Sequence, residues 1–164
     1  LISTSLDKII DNKDLYIFDI LDYIDTDLIC YRAENPKELV ELQKNKWDPI
    51  ILLLEKYIGT KVEVFQGVLP KKQHATVHIK LNNIINQSDI FEISALHRIT
   101  NITGSIFLSL CVLKKDISKN EVFELSFLDE LWQAVNWGFD DETSKKRKEI
   151  YIELNKCISF LDCL

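Results

Sequence analysis

Two histidines come nearest, by type and spacing, to forming a metal site. His74 and His78 lie four positions apart, so a helix would place both imidazole rings on one face. The zinc-protease pattern requires a glutamate directly after the first histidine, but Ala75 occupies that position, and no acidic or cysteine ligand lies nearby in the sequence. The pattern therefore favours a polar helix face, and we predict no bound metal.

Candidate catalytic pairs are weak as well. Asp129 and Glu130 are adjacent, and on a helix their side chains point about 100° apart instead of toward a common proton. His97 and Cys111 lie fourteen positions apart, and nothing in the sequence brings them together as base and nucleophile. The four glycines fit no Walker loop, GxGxxG fingerprint or GxSxG elbow. We therefore expect no enzyme, no cofactor and no small-molecule substrate.

Length, composition and charge exclude further classes. The 164 residues, 46% of them hydrophobic, can fill the core of one domain, with or without an appendage. The net charge is −6, and residues 1–34, with eight acidic and three basic side chains, contribute −5 of it. Negative charge opposes binding to nucleic acid and anionic lipid, so neither is expected as a partner. The apolar run Ile106–Leu113 falls well short of the roughly twenty residues that cross a bilayer, so we expect no membrane insertion.

The cysteine pattern indicates a reducing compartment. The four cysteines form no CxxC pair and do not alternate with histidines at zinc-finger spacing, which favours free thiols over disulfides. No positively charged start followed by an apolar segment, the mark of a secretory signal, is visible. Because the sequence contains no methionine, we interpret it as a fragment or a processed product.

Apolar residues at helical spacing predict a chain that is mainly helical. Local signals mark several helix ends: Gly59 and Gly138 suit the position after a helix, and Ser118 with Glu121 has the pattern of a capping box. The predicted helices span residues 6–24 with a break near 11–12, then 36–47, 49–58, 74–86, 89–113, 119–137 and 142–160.

Two prolines predict a pair of helices that meet near Trp47. Asn35 offers a side-chain cap, and Pro36 suits the first helical position because a missing N–H costs nothing there. Pro49 then removes a helix hydrogen-bond donor, while Asp48 offers a new cap. The sequence therefore indicates that one helix stops and a second starts between these two residues.

Two short stretches are predicted to be extended. Leu28–Tyr31 is apolar and partly aromatic, and Lys61–Phe65 alternates polar with apolar side chains. Arg32 and Glu34 follow the first stretch.

The helix predicted over residues 119–137 carries both acidic and aromatic side chains. Two interpretations remain open: a core helix with one solvated side, or a recognition surface with aromatic anchors and charged selectivity. The basic residues Lys145–Lys148 in the next helix are expected to pair with carboxylates of this acidic helix.

Two separated motifs point to one family. The stretches Cys30–Pro49 and Leu128–Gly138, occurring together in this order, resemble the Atp12 family of assembly chaperones for the F1 ATPase. The likeness extends roughly from Asp25 to Asp141. It implies the helical C-terminal portion of such a chaperone, with a mainly α fold: a multi-helix orthogonal bundle with a short extended or β segment.

The resemblance also implies a division of the chain. Family members carry a β-rich domain ahead of the helical one, and because no comparable strand-rich sequence is found here, we expect that domain to be absent from this chain. Residues 1–26 are interpreted as an acidic N-terminal helical segment linking to the missing domain, and residues 27–164 as the helical Atp12-like domain. The acidic side chains of the first segment favour solubility over attraction of a basic partner.

The function implied by the resemblance is a chaperone that binds the unassembled F1 α subunit as a transient client and releases it to the β subunit. A non-catalytic helical scaffold that stably bridges protein partners is the alternative. Such a protein would work where F1 is assembled, in the bacterial cytoplasm or the mitochondrial matrix. The abundance of Ile, Lys and Asn favours a bacterium.

The resemblance assigns roles to residues of both motifs. Family members have a functionally linked acidic residue in the motif matched by Leu128–Gly138, for which Glu130 is the best match and Asp129 the next. Gln133 and Trp137 accompany them as candidate client-binding residues. Structural roles are expected for the remaining motif residues: Arg32, Glu34, Trp47, Asp48 and Pro49. For Arg32 and Glu34 the resemblance suggests an internal ion pair or a fixed turn.

Overall fold

The computed structural model describes residues 2–164, with side chains from residue 7 onward. Most of this length is helical, which confirms the mainly α fold class. One two-stranded parallel sheet joins β1 (Tyr31–Arg32) to β2 (Phe65–Gln66). The helices are α1 (Ile2–Asp11), α2 (Lys13–Leu21), α3 (Lys37–Ile58), α4 (Ala75–Gln87), α5 (Ile90–Thr103), α6 (Ile106–Leu113), α7 (Lys119–Ser126), α8 (Leu128–Trp137) and α9 (Asp141–Asp162).

The first two helices confirm the predicted break near Asp11. α1 ends at that residue, and the side-chain amide of Asn12 donates a 2.9 Å hydrogen bond to the carbonyl of Lys8. Ile20 and Ile24 are buried in the same apolar core as the central helices, with α2 packed against α5. The acidic N-terminal segment is therefore packed onto the helical core.

The prediction of two helices around Pro49 is wrong, because α3 runs without a break from Lys37 to Ile58. A proline fixes φ near the helical value and removes only one hydrogen-bond donor, and Pro49 is exposed, so water can reach the backbone there. Trp47 is 1% exposed and anchors the middle of the helix in the core. Burial of this side chain on the proline's own turn favours continuation of the helix.

The predicted cap at Asn35 is also wrong. Pro36 has an extended conformation, with φ −71° and ψ 162°, and takes the cap position itself, with no side-chain cap hydrogen bond. The helix therefore begins one residue later than expected. Its other end confirms the prediction, since Gly59 has φ +70° and its N–H donates to the carbonyl of Glu55 at 2.9 Å.

The helix predicted over residues 89–113 is divided in two. Gly104 has φ +72°, which ends α5, and the Ser105 hydroxyl then accepts a 3.0 Å hydrogen bond from the N–H of Leu108 and caps α6. The Gly104 carbonyl accepts a 3.0 Å hydrogen bond from the N–H of Leu28. A contact from a distant segment thus fixes the turn that the sequence pattern did not show.

The helix predicted over residues 119–137 is likewise divided, at Phe127, which has φ −108° and ψ 24°. The capping box of Ser118 and Glu121 is confirmed, and Gly138 ends α8 as predicted. The helix predicted from residue 142 is confirmed as α9. Phe127 is not a typical turn residue, so its break had no clear local signal.

The stretch before β1 forms a turn of 3-10 helix, Leu28–Cys30, where an extended segment was predicted. The side chain of Asp27 accepts a 3.2 Å hydrogen bond from the N–H of Ile29 and closes this turn. The prediction was correct only for Tyr31, which begins β1.

Only the last residue of the predicted strand Lys61–Phe65 belongs to β2, where Phe65 lies opposite Tyr31. The N–H of Val62 donates to Glu55 Oε1, and that of Glu63 donates to Gln73 Oε1, both at 2.9 Å. Side chains therefore satisfy these backbone donors, and the sheet does not extend to them.

The core is formed mainly by α3, α5 and α6, with α2, α7 and α9 packed around them. Trp47 and Phe107 are its largest fully buried side chains. None of the helices between residues 2 and 164 combines the length and the apolarity needed to cross a membrane. This core supports α8, which covers one edge of α3.

Candidate functional site

Three of the predicted client-binding residues form one exposed stripe on α8. Glu130, Gln133 and Trp137 are exposed and follow one another at intervals of three and four residues, so they share one face of the helix. The side chain of Trp137 is 82% exposed. We call this set the outer stripe of α8.

Asp129 lies on a different face and makes an internal contact. Its Oδ1 accepts a 2.8 Å hydrogen bond from Nε2 of Gln43 on α3. Oε1 of Gln43 in turn accepts a 2.8 Å hydrogen bond from the N–H of Ala33, and Gln43 is 1% exposed. Asp129 therefore connects α8 to α3 and to the end of β1, whereas its neighbour Glu130 faces solvent.

Trp47 connects α3 to the end of α7. The indole N–H donates a 3.0 Å hydrogen bond to the carbonyl of Leu125, in the last turn of α7. This bond satisfies one of the carbonyls that a helix end leaves without an internal donor. The guanidinium carbon of Arg32 lies 5.2 Å from the centre of the Trp47 ring, within the range of a cation–π interaction.

Arg32 pairs with Asp48 and not with Glu34, so of the two alternatives predicted for Arg32 and Glu34 the ion pair is wrong. Nη2 of Arg32 lies 2.7 Å from Oδ1 of Asp48, and Nη1 donates to the carbonyl of Ile29. Glu34 lies against Gly67, where an added Cβ would meet its carboxylate oxygen at 3.4 Å. Because α3 continues through Pro49, Asp48 can project from the helix toward β1 instead of capping a new one.

A half-exposed apolar groove lies between α8, α3 and α7. Leu128, Leu131, Trp132 and Val135 share one face of α8, and the groove has a volume of about 550 Å³. Of these four side chains only Leu128 is buried, and Val135 is 73% exposed. We call this the α3–α8 groove; it is completed by Leu42, Asn45, Lys46, Pro49, Ile50, Glu121, Glu124 and Leu125.

Of the predicted site residues, only Pro49 lines this groove, and no groove was predicted there. Its signal is present in the sequence as apolar residues at helical spacing on α8. The same spacing is typical of a core face, and only the structure shows that Leu131 and Trp132 are half-buried instead of buried. Helical spacing alone therefore does not distinguish this half-exposed apolar face from a buried core face.

A second cavity, of about 530 Å³, lies on the other side of the contact between Gln43 and Asp129. Arg32 and Trp47 line its inner part, and Val68, which is 92% exposed, lies at its margin. Arg32, Glu34 and Trp47 of the predicted structural motif line this cavity, whereas Asp48 and Pro49 do not. The outer stripe of α8 lines neither cavity.

The histidines make separate pairs. His78 Nε2 lies 2.8 Å from Asp25 Oδ1, and His97 Nε2 lies 3.2 Å from Asp19 Oδ2. His74 contacts Thr76 at 3.3 Å. Throughout the part of the chain that the structure describes, no three His, Cys, Asp or Glu side chains come together as a group that could hold a metal ion.

The buried thiols are poorly suited to act as nucleophiles. Burial raises the pKa of Cys30 far above its usual range and raises that of Cys111 to about 12, with nearby Asp27 adding to both shifts. A thiol with such a pKa stays protonated at neutral pH, and the thiolate is the reactive form. These cysteines therefore behave as small apolar core residues.

The basic residues of α9 do not show the predicted pairing with the acidic helix. Lys146 lies 3.5 Å from Glu142 of the same helix, one turn away. Arg98 of α5 pairs with Glu153 of α9. The carboxylates of Glu121 and Glu124 instead border the α3–α8 groove.

Comparison with solved structures places the chain in a family. The crystal structure of Atp12 from Paracoccus denitrificans is 30% identical in sequence and superposes with a TM-score of 0.92. The match covers 97% of this chain and 68% of that one. The chain belongs to the Atp12 family. The family resemblance of the two sequence motifs is thereby confirmed.

Further comparisons agree with this assignment. The sequence model described as ATP12 chaperone protein matches residues 1–55. The mitochondrial protein atp12 of Schizosaccharomyces pombe is 24% identical over 161 residues, which cover 90% of this chain and 55% of that relative. The chain therefore spans about half the length of this curated relative. The Atu1473 protein of Agrobacterium tumefaciens is 29% identical, with a TM-score of 0.91 over 97% of this chain and 60% of that one.

Proposed function

We propose that this chain is the helical part of a chaperone for assembly of the F1 sector of ATP synthase. In this proposal it binds the unassembled α subunit as a transient client and releases it to the β subunit. Membership of a family described as chaperones supports the general class. The resemblance of the Cys30–Pro49 and Leu128–Gly138 motifs supports the choice of client.

The observation that carries the proposal is the exposure of the outer stripe. Glu130, Gln133 and Trp137 place a charge, an amide and a large aromatic ring side by side in solvent. Exposed aromatic residues bordered by polar ones are typical of protein interfaces, where the aromatic side chain supplies most of the binding energy. The fold does not need this tryptophan for its own core.

The support beneath α8 fits a binding surface that keeps its shape. The hydrogen bond from Gln43 to Asp129 and the one from Trp47 to Leu125 hold α8 and the preceding helix on α3. A surface that is ordered before binding loses less conformational entropy when a client arrives. The outer stripe can therefore cover an apolar assembly surface of the client without rearranging.

The proposed cycle needs no catalytic step. The chaperone covers an apolar surface of the α subunit, and the β subunit displaces it because the subunit interface of F1 buries that surface permanently. Exchange requires that the first complex be weaker than the final one. We place this activity where F1 is assembled, in the bacterial cytoplasm or the mitochondrial matrix; the relatives come from bacteria and from a mitochondrion.

The decisive experiment measures aggregation of purified F1 α subunit by light scattering, without nucleotide, in the presence of this chain. F1 β subunit is added afterwards, and the components are separated by size. Protection followed by transfer of α to β supports the proposal. Protection in which the chain stays in the assembled complex would instead support a stable scaffold. Absence of protection, both with this chain and with a version joined to the β-rich domain of a relative, rejects the proposed client.

A further inference from the structure

The α3–α8 groove is an apolar surface that α8 leaves only partly covered. Leu128 and Ala134 are the buried residues of α8, whereas Trp132 is half-buried and Val135 is 73% exposed. Leu42 and Pro49 of α3 form the facing wall. A helix with a continuous apolar face that is half in solvent is suited to receive another apolar face.

The wall formed by α3 also carries a free backbone acceptor. Pro49 has no N–H, so the carbonyl four residues earlier, that of Asn45, receives no hydrogen bond from the helix at that position. Asn45 is exposed and lines the groove. A partner that covered this carbonyl would have to offer it a donor, because an unpaired buried carbonyl is costly.

The charged side chains at the margin of the groove also favour a partner that carries basic side chains. Glu121 and Glu124 border the groove on the α7 side, and Lys46 is the basic side chain that lines it. The backbone and side-chain hydrogen bonds with Ser118 lower the pKa of Glu121, so this carboxylate remains ionised at neutral pH. The groove therefore combines an apolar floor with a negative margin.

We propose that the α3–α8 groove binds an amphipathic helix of a protein partner, with an apolar face on the floor and Lys or Arg side chains beside Glu121 and Glu124. The inference rests on the proposed function, since the helix would belong to the unassembled client. A strand is a poorer fit, because the groove is walled by helices whose interior N–H groups are already bonded. A helix satisfies its own backbone and binds through side chains alone.

The test uses two synthetic helical peptides of equal length and identical leucine face, one with lysines flanking that face and the other with glutamates. Binding of each to the purified chain is measured by titration calorimetry. We expect the lysine peptide to bind about tenfold more tightly, since each of two exposed charge contacts contributes a modest amount. Equal affinity for both peptides, or binding of neither, overturns the proposal.

Two variants locate the binding site. Val135→Glu places a charge on the exposed part of the floor and should weaken binding of the lysine peptide by about tenfold or more. Glu124→Lys should reverse the preference between the two peptides. Val68→Glu is the matched control, because Val68 is 92% exposed and lies outside this groove. Retention of full affinity by a folded Val135→Glu variant contradicts the site.

A second copy of the chain is the competing occupant, and sedimentation of the unmodified chain and of Val135→Glu tests it. Self-association that Val135→Glu abolishes would assign the groove to a dimer and overturn the proposal. The peptide assay contains no F1 subunit. Failure of the groove proposal can therefore be distinguished from failure of the proposed client. If the peptide does not bind but the chain still protects the α subunit, only the groove proposal is rejected. If the peptide binds but the chain does not protect the α subunit, only the proposed client is rejected.

Discussion

Gln43 donates a 2.8 Å hydrogen bond to Asp129 across 86 positions of sequence, and this contact fixes which face of α8 meets solvent. With Asp129 turned toward α3, the outer stripe that contains Glu130 points away from the core. The two adjacent acids of the motif therefore differ in role. One positions the helix, and the other is available to a partner.

We predict that Gln43→Ala destabilises the fold by about 1–3 kcal/mol. The substitution leaves the N–H of Ala33 and the carboxylate of Asp129 without the partner that both now share. Urea unfolding of the variant measures the change in free energy. Gln133→Ala is the matched control, because Gln133 is exposed, and it should change stability by less than about 0.5 kcal/mol. Equal effects of the two substitutions would refute the bridging role of Gln43.

The second prediction compares Trp47, which is buried, with Trp137, which is exposed. Trp47→Ala should cost about 3–5 kcal/mol, because it empties a core site and removes the hydrogen bond to the carbonyl of Leu125. Trp137→Ala should leave the unfolding free energy within about 0.5 kcal/mol, since Trp137 is 82% exposed. Thermal and urea unfolding of the pair provide the comparison. A large loss of stability in Trp137→Ala would show that this ring packs in the fold.

The parts of the fold that could be predicted are those set within one helical turn. Ser118 with Glu121, and the glycines Gly59 and Gly138, mark helix ends through contacts among near neighbours in sequence. The break at Gly104 was missed although Gly104 and Ser105 are residue types that end and cap helices, because the apolar spacing on both sides indicates one continuous helix. The hydrogen bond from Leu28 to the Gly104 carbonyl, far away in sequence, then helps to fix the turn.

At Pro49 the sequence predicted a helix break that the structure does not have. A proline is a strong local signal for a helix break, but here burial of Trp47 on the same turn favours a continuous helix. Tertiary packing thus overrides local preference. At the candidate site, the family motif supplied Glu130, Gln133 and Trp137 together with Asp129, and helical geometry explains why the first three share one face. The contact that removes Asp129 from that group joins residues too far apart for spacing to show it.

We predict a stability profile with pH that depends on Asp27. Burial raises its pKa from 3.8 to about 7, against the opposing effect of hydrogen bonds from the Ser105 hydroxyl at 2.7 Å and the Phe107 N–H at 3.1 Å. Because the folded state holds this proton more tightly than the unfolded state, its contribution is complete below about pH 4 and is lost as pH rises to about 7. The loss amounts to about 4 kcal/mol at most.

Asp27→Asn isolates this contribution, since asparagine resembles the protonated carboxyl and does not titrate. Unfolding free energies of both proteins are measured between pH 4 and 8. The wild-type protein should lose stability relative to Asp27→Asn across this interval and then remain level. Parallel curves would mean that Asp27 keeps the same pKa in the folded and unfolded states.

The last prediction concerns Glu130, whose carboxylate lies on the outer stripe. Glu130→Lys should leave the unfolding free energy within about 0.5 kcal/mol, because the side chain is exposed. It should nevertheless weaken protection of the F1 α subunit, since reversing a charge at an interface chiefly damages electrostatic selection. Light scattering of aggregating α subunit measures the effect. Glu149→Lys makes the same charge change at an exposed position on α9 and should protect as well as the wild-type chain. If both variants lose protection equally, net charge rather than the stripe is responsible; if a folded Glu130→Lys protects fully, the client contacts another surface.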